Sequence, residues 1–537
     1  MGPGIVNPEY SEHFFQKGEI DEAMFAVDWL AKREELTPAK TAVIDAAGGV
    51  RLTYRDLNQR ARRLAAFCKE ELGLQKGDRI AVLAQNRLEF LDLLFAAQKT
   101  GTILVPLNYR LKVNELAYLL QDSRPRVLFY DRANAAAAAD LRSRAAAAAY
   151  VFLGEEKEVA SAGSESAGDV AYARILAASP GSFAGPQNNF DLEAPWLILY
   201  TGGTTGLPKG AVLSRRMVTW NAVNTAVSWG LTPDDVAPVF YPFFHTGGIN
   251  VLTTPLIHLG GTLVLTGPFQ ARPALETIER ERCTVISMVP TMFQMIMDEP
   301  AFPQADFSSV RLCISGGAPC PRHIYEAFLA KGVIFKQGYG LTEAGPNCFA
   351  LPEAAALRKI GSVGRPVFHS EVRLVGEDGR EAAPGEVGEL AIRGNHLCSG
   401  YWQNPAATAE ILKDGWLYTG DLARQDEEGF FYIVGRKKEM IISGGENVYP
   451  VEIEAVLNSH PKIAEAAVIG IPHEKWGEVP KAVVALRPGA RAAAEEIISF
   501  CRERLAGYKV PKVVEFRREL PKSGMGKILK RELQQGN

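Results

Sequence analysis

The sequence predicts an α/β fold: a large N-terminal domain built on mostly parallel sheets, followed by a smaller α+β C-terminal domain. Three observations predict it. Short apolar runs alternate with helix-length amphipathic segments through the first half, the rhythm of β-α-β units. After Gly435 the pattern changes to short strands and helices within about a hundred residues, the size of an independent domain. The chain has 537 residues, 47% hydrophobic and 23% charged, enough to divide among several folding units.

Element by element, Thr53-Tyr-Arg-Asp56 reads as a capping box with Asp in place of Glu or Gln. It opens a helix with the apolar stripe Leu57, Ala61, Leu64, Cys68 and Leu72, ending at Gly73. A strand follows at 80–83, a helix at 88–99, a strand at 102–105, a helix at 113–121 and a strand at 127–130. The alanine-rich stretch 133–149 predicts a surface helix, and 155–190, rich in Ala, Ser, Gly and Asn, a mobile connection without chemistry of its own. Strand-like runs return at 196–200, 239–241, 262–265, 284–288, 311–314 and 333–335. The tail predicts strand (440–442), helix (451–457), paired strands (465–471 and 481–486), helix (494–505), strand (512–516) and a short final helix.

Composition excludes several classes. Net charge is −3, from 59 basic and 62 acidic side chains, so no global field draws nucleic acid or an anionic membrane. Seven cysteines without a C-x-x-C pair predict reduced thiols and a cytoplasmic enzyme. The N-terminal stretch carries Glu9, Glu12, Glu19 and Asp21 where a signal peptide needs an apolar run, and Val6 stands where myristoylation needs Ser or Thr. No apolar run reaches the ~18 residues of a membrane span.

The densest chemical signal follows the apolar strand Trp196–Tyr200: Thr201-Gly202-Gly203-Thr204-Thr205-Gly206-Leu-Pro-Lys209-Gly210. Glycines let backbone amides approach an anion, threonine hydroxyls donate to phosphate oxygens, and Lys209 adds charge. A Walker-type loop is excluded, because Pro208 precedes the lysine and Gly210 follows it. A plain Gly-rich strand-to-helix turn, capped by Ser214, is the bland alternative.

This segment closely resembles the signature loop of the adenylate-forming superfamily, which includes acyl-CoA synthetases, peptide-synthetase adenylation domains and luciferases. The resemblance continues in order over roughly 50–530. It implies a small β-barrel-like subdomain within an N-terminal adenylation domain (1–435), a hinge (436–438) and a mobile C-terminal lid (439–537). It also implies ATP, Mg²⁺ and coenzyme A. Ser315-Gly316-Gly317-Ala-Pro319 would wall the adenine pocket. In Gln337-Gly338-Tyr339-Gly340-Leu-Thr342-Glu343, Tyr339 would stack on adenine, Thr342 bond the α-phosphate and Glu343 hold Mg²⁺. Asp421, in Tyr418-Thr-Gly-Asp421, would hold the ribose hydroxyls; Arg436 would reach ribose or phosphate, and Lys438 would be the pivot. Ser443, Gly444, Gly445, Glu446 and Trp476 would line a pantetheine tunnel. Lys527, in Pro521-Lys-Ser-Gly-Met-Gly-Lys527 (Ser where Thr is commoner), would be the catalytic lysine of adenylation.

Pro242-Phe-Phe244-His245-Thr-Gly247-Gly248 bears on the acid. Amino-acid-activating relatives usually carry Asp here for the ammonium, and burying an unpaired ammonium is costly. The resemblance places His245 on the carboxylate and thiol path, with Phe244, Gly247, Gly248 and Gly340 in the acyl pocket. The apolar surroundings (Trp220, Trp229, Phe243, Ile249) make a medium- or long-chain fatty acid the first expectation. Aryl acids such as cinnamates, benzoates or succinylbenzoate come second. A carrier-protein-charging enzyme, a luciferase-type oxygenase and a non-enzymatic nucleotide sensor are the rival classes. The expected partners are a small carboxylic acid, ATP and CoA, without nucleic acid or a membrane span; a homodimer is an open option.

Overall fold

A computed structural model of the chain describes residues 25–145, 147–155, 158, 168–178, 190–202, 207–444, 446–522 and 527–534. Gly203, Thr204, Thr205, Gly206 and Gly445 lie outside the described residues. The central seven-stranded sheet runs in the order Lys209–Ser214, Pro195–Thr201, Ile103–Pro106, Arg79–Leu83, Val127–Tyr130, Ala149–Phe152, Val170–Ala171. Its inner strands pair in parallel, as the β-α-β rhythm requires. Only the first two strands form an antiparallel hairpin, Leu199 opposite Ala211. The core on one face gathers Leu57, Leu64, Phe95 and Trp196, whose indole N–H donates to the Leu94 carbonyl (2.9 Å).

Thr53 and Asp56 make both halves of the capping box, so the helix Tyr54–Ala66 starts where the sequence places it. Its last turn, Phe67–Glu71, widens into a π-helix before Gly73. Two further parallel arrays hold Val236–Val239 beside Thr262–Leu265 and Thr41–Asp45, and Val285–Met288 beside Leu312–Ser315 and Ile334–Gln337. A five-stranded antiparallel sheet follows (Glu371–Val375, Val387–Arg393, Leu412–Lys413, Trp416–Gln425, Phe431–Arg436) around Leu374, Leu390, Ile392 and Leu417. The tail folds on its own core of Ile441, Ile453, Leu457, Val468, Val484 and Ile497. There the hairpin Ile463–His473 and Gly477–Leu486 is flanked by Ile441–Ser443 and, in parallel, Val513–Arg517.

Three local readings change. The stretch 133–149 is not one helix: the helix Ala135–Arg144 ends early and Ala149–Phe152 joins the central sheet. The connection 155–190 is not featureless. Val170–Ala171 adds an edge strand, and Tyr172 is buried, donating to Asp92 (2.7 Å), which Arg60 also grips. Finally, the glycine- and threonine-rich motif is followed by the strand Lys209–Ser214 and only then by a helix, Arg215–Trp229, which Ser214 caps by accepting from the Met217 N–H (3.2 Å). Among the described residues, no helix is long and apolar enough to cross a membrane.

Candidate active site

The motif segments gather at the carboxyl ends of parallel strands, where open α/β sheets bind ligands. Thr201 ends one strand, Ser315 another, and Gln337 a third. Register explains the alignment: Ser315 and Gln337 are direct partners across the sheet. The Gln337 side chain then pins the loop after Ser315. Its amide donates to the carbonyls of Ser315 (3.2 Å) and Ala318 (3.1 Å), and its oxygen accepts from the Cys320 N–H (3.0 Å). Gly317 turns that loop with φ of 79°, a left-handed conformation that suits glycine.

Tyr339 donates its hydroxyl to the Asp421 carboxylate (2.5 Å), and Arg436 Nε meets the same carboxylate at 2.7 Å. Asp421 and Arg436 are cross-strand partners in the antiparallel sheet. A bulge aims Asp421: between the pairs Glu389–Leu422 and Ala391–Tyr418, the strand carries Thr419, Gly420 and Asp421 opposite Leu390. Gly420 bends it at φ of 71°, while Thr419 Oγ1 donates to the Leu390 carbonyl (2.8 Å) and accepts the Asp421 N–H (3.1 Å).

Thr342 and Glu343 lie in a short 3₁₀ turn, each 8% exposed. Glu343 Oε1 accepts from Tyr401 Oη (2.7 Å) and Thr201 Oγ1 (3.4 Å). Both are neutral hydroxyls, so no cation touches this buried carboxylate among the described residues. At Gly340 the chain packs tightly on itself: a Cβ there would lie 2.1 Å from the Pro346 carbonyl oxygen.

Lys527, next to the isolated bridge between Lys522 and Ile528, lies near enough to Arg436, Glu439 and Asp421 to feel their charges. Its side chain is open to solvent yet walled in by protein atoms. Burial, then the nearby Arg436, holds its ammonium below the ordinary lysine value, with Glu439 and Asp421 opposing the shift. Tyr339, Asp421, Arg436 and Lys527 therefore share one electrostatic neighbourhood.

His245 occupies a turn after Val236–Val239. Burial pushes its pKa down to about 4, so the ring is neutral at pH 7. Nδ1 accepts the Gly247 N–H (3.0 Å), which assigns the proton to Nε2 and makes that nitrogen a donor. Gly248 is pressed on the Pro242 carbonyl, where a Cβ would sit 2.3 Å away. Asn86 clamps the turn, donating to the Tyr241 carbonyl and accepting from the Phe243 N–H, both at 2.8 Å. Phe244 packs edge-on against Tyr109 at 5.3 Å. Asn347, four residues past Glu343, donates to the carbonyls of Asn250 (3.3 Å) and Val251 (3.0 Å), tying the histidine segment to the Tyr339–Glu343 segment. Trp229 is bonded to the Phe349 carbonyl (3.1 Å), and Trp220 meets His369 edge-on.

The remaining predicted residues stand elsewhere. Ser443 and Glu446 flank a hairpin turn whose Gly444, at φ of 63°, donates its N–H to the Trp476 carbonyl (2.8 Å) and packs under the Trp476 ring. That indole is 42% exposed and Ile442 52%. Lys438 is exposed in the short turn Lys437–Glu439. Sequence reasoning missed Tyr401. A Gly-Tyr pair between strands carries no local chemical sign, and only its partners single it out.

Comparison with known proteins gives the family. The profile described as AMP-binding enzyme matches residues 30–402, and that of the AMP-binding enzyme C-terminal domain matches 452–527. A feruloyl-CoA synthase from an Amycolatopsis species is 41% identical over 94% of this chain and 97% of its own. An indoleacetate–CoA ligase from Aromatoleum aromaticum is 38% identical over 95% and 97%. The ATP-bound crystal structure of MatB from Rhodopseudomonas palustris superposes with a TM-score of 0.85 at 31% identity, covering 95% of this chain and 98% of that one. The chain belongs to the AMP-binding enzyme family, the adenylate-forming superfamily, among its ATP-dependent acid–CoA ligases.

Proposed function

We propose that this ligase takes aryl or arylalkanoic acids, and that the residues gathered above divide its two half-reactions between them. In the first, an acid carboxylate oxygen attacks the α-phosphorus of ATP, giving acyl-AMP and pyrophosphate. In the second, the CoA thiol attacks the acyl carbon, giving acyl-CoA and AMP. Carboxylates are poor electrophiles, so the first step depends on positioning and charge stabilisation.

One observation carries the assignment: Asp421, Arg436 and Lys527 share one electrostatic neighbourhood with Tyr339, and Glu343 and Thr201 meet each other nearby. Asp421 would accept from the ribose hydroxyls, Tyr339 would offer its ring to adenine beside the Ser315–Gly317 wall, and Gly338 and Gly340, packed on Ile314 and the Pro346 carbonyl, would hold that turn in place beside the nucleotide. Thr342, Lys209 and the 201–206 loop would donate to phosphates. The donor set suits Mg²⁺: one buried carboxylate oxygen site without a cation partner, completed by phosphates and water. Mg²⁺, when bound there, would neutralise phosphate charge. Lys527 would place its ammonium on the reacting carboxylate and α-phosphate, and neutral His245 would donate from Nε2 to the acid.

For the second step we assign Ser443, Gly444, Gly445, Glu446 and Trp476 to the pantetheine path. The C-terminal unit would turn about Lys438 to exchange them for Lys527. The curated relatives above act on a hydroxycinnamate and an indole acid. The pocket segment Phe244–Gly248 offers aromatic and glycine surface and no group to pair an amine. These support the aryl reading; the fatty-acid expectation gains no support from those two relatives. We further read the enzyme as cytoplasmic, in keeping with its unpaired cysteine pattern.

A pyrophosphate-release screen tests the reading, using cinnamates, indoleacetate, benzoates, succinylbenzoate and fatty acids of graded length, with and without CoA. We expect aryl or arylalkanoic acids to lead in kcat/KM. A fatty acid leading the series would overturn the aryl assignment, and acid-dependent turnover indifferent to CoA would overturn the thiol step.

A further inference from the structure

We propose that Tyr401 is a positioning residue for adenylation: its hydroxyl orients the Glu343 carboxylate toward the metal while its ring holds the Lys209 ammonium. The proposal rests on the reading of Glu343 as the Mg²⁺ ligand.

The backbone around Tyr401 is stitched to both sides of the phosphate site. On one side, the Cys398 N–H donates to the Glu343 carbonyl (2.8 Å). On the other, Ser399 N–H bonds the Val212 carbonyl (3.0 Å), Val212 N–H the Gly400 carbonyl (2.9 Å) and Trp402 N–H the Gly210 carbonyl (2.7 Å). Tyr401 itself forms a bridge with Ala211, in the strand that leaves the phosphate loop. The segment thus locks the loop's exit strand to the Thr342–Glu343 turn.

The side chain uses that anchorage. Its hydroxyl donates to Glu343 Oε1 at 2.7 Å, and the Lys209 ammonium lies 5.2 Å from the ring centroid, within cation–π range. Thr201 bonds the same Oε1, so two hydroxyls fix one oxygen of the carboxylate and with it the plane in which the group lies. Groups that orient a metal-binding carboxylate typically change metal affinity by about 10–100-fold when removed. A ring that only filled space would act on neither Mg²⁺ nor Lys209.

Tyr401→Phe separates these roles, because it keeps the ring and removes the hydroxyl. The probe is α,β-methylene-ATP, bound to the full-length protein and followed by calorimetry with and without Mg²⁺. We expect the Mg²⁺-dependent gain in affinity to fall about tenfold, with Mg²⁺-free binding unchanged. The Mg²⁺ concentration for half-maximal pyrophosphate release should rise in parallel. Acyl transfer from supplied acyl-adenylate to CoA should not change. Tyr401→Leu should additionally weaken Mg²⁺-free binding, because Lys209 loses its ring. Equal losses with and without Mg²⁺ in Tyr401→Phe, or no loss, would overturn the proposal. Glu343→Gln keeps the two readings apart. If it loses the Mg²⁺ response and Tyr401→Phe does not, only the tyrosine's part fails; if Glu343→Gln keeps the response, the metal reading fails and takes the proposal with it.

Discussion

Two glycines of one motif should respond very differently to the same added methyl group. Neither Gly338 nor Gly340 has positive φ, so backbone strain does not separate them and only surroundings count. At Gly340, a Cβ would stand 2.1 Å from the Pro346 oxygen and 2.4 Å from its carbonyl carbon. Heavy atoms prefer separations of ~3.5 Å, so that carbonyl would have to retreat by roughly 1.4 Å. It belongs to the backbone beside Asn347, which is itself held by bonds to Thr225, Asn250 and Val251, so the strain passes into the Tyr339–Glu343 turn. At Gly338 the nearest atom is the Ile314 Cγ2 methyl, 3.1 Å away, the end of a side chain that can yield. Overpacking of the first kind costs about 1–3 kcal/mol. A misplacement of about 1 Å among catalytic groups costs on the order of 10²-fold in rate. Gly340→Ala should therefore lower acid-dependent pyrophosphate exchange about a hundredfold and lower stability by about 2 kcal/mol. Gly338→Ala should keep stability near wild type. Thermal melts and exchange assays of both proteins test this. Equal stability of the two variants, or wild-type exchange by Gly340→Ala, would refute the steric reasoning.

Lys527→Ala should lose about 10²–10³ in adenylation rate while acyl transfer from supplied acyl-adenylate to CoA survives; equal loss in both half-reactions would refute the division of labour. Because burial and Arg436 depress this ammonium, and the charged form is required, kcat/KM for adenylation should fall as pH rises, earlier than an ordinary lysine would dictate; Lys527→Arg should move that limb upward. Gly444→Ala, whose Cβ would meet the Trp476 ring at 2.7 Å from a left-handed backbone position, should raise the KM for CoA and leave pyrophosphate exchange intact, as steady-state assays with varied CoA would report. Burial, then Arg216, pushes His396 from 6.5 down to about 4. Its neutral form favours the fold above pH 6.5, and that contribution, up to ~3 kcal/mol, is lost as pH falls toward 4. Urea titrations at pH 7 and 4.5 should show a smaller acid loss in His396→Gln.

What the sequence disclosed followed physical kind. Parallel strands buried on both faces, such as Val127–Tyr130, are unbroken apolar runs, and the Thr53–Asp56 cap is a local bond pair; both were legible at once. The antiparallel sheet was not legible strand by strand. Strands such as Val387–Arg393 are half-buried and alternate weakly, and their pairing depends on partners distant in sequence. Ala149–Phe152 was hidden behind an alanine run that favours helix. Candidate site residues were legible where a motif held them in one segment, as in Tyr339–Glu343. The Tyr339–Asp421 bond spans 82 positions, and Tyr401 has no motif of its own, so its place beside Glu343 emerges only from the fold.

The same long-range pairing bears on where the proposed rotation would occur. Lys437 is tied to the antiparallel sheet by an ion pair with Glu389 at 2.9 Å. Glu439 is tied the other way, to Lys530 at 3.1 Å, and Lys530 also holds Glu454 at 2.7 Å within the C-terminal unit. Lys438 stands between these anchors, exposed and ion-paired to neither side among the described residues. A swivel that kept each anchored residue with its own body would therefore concentrate its torsion at Lys438. Because Lys437 precedes the pivot, its pair with Glu389 stays within the N-terminal body, and the Glu439–Lys530 pair stays within the C-terminal one, so neither is broken by turning at Lys438. Turning would thus spare both ion pairs, and it would carry the solvent-facing Ile442 and Trp476 along with the C-terminal body. Ligand binding would then choose which face of the C-terminal unit meets Tyr339 and Asp421.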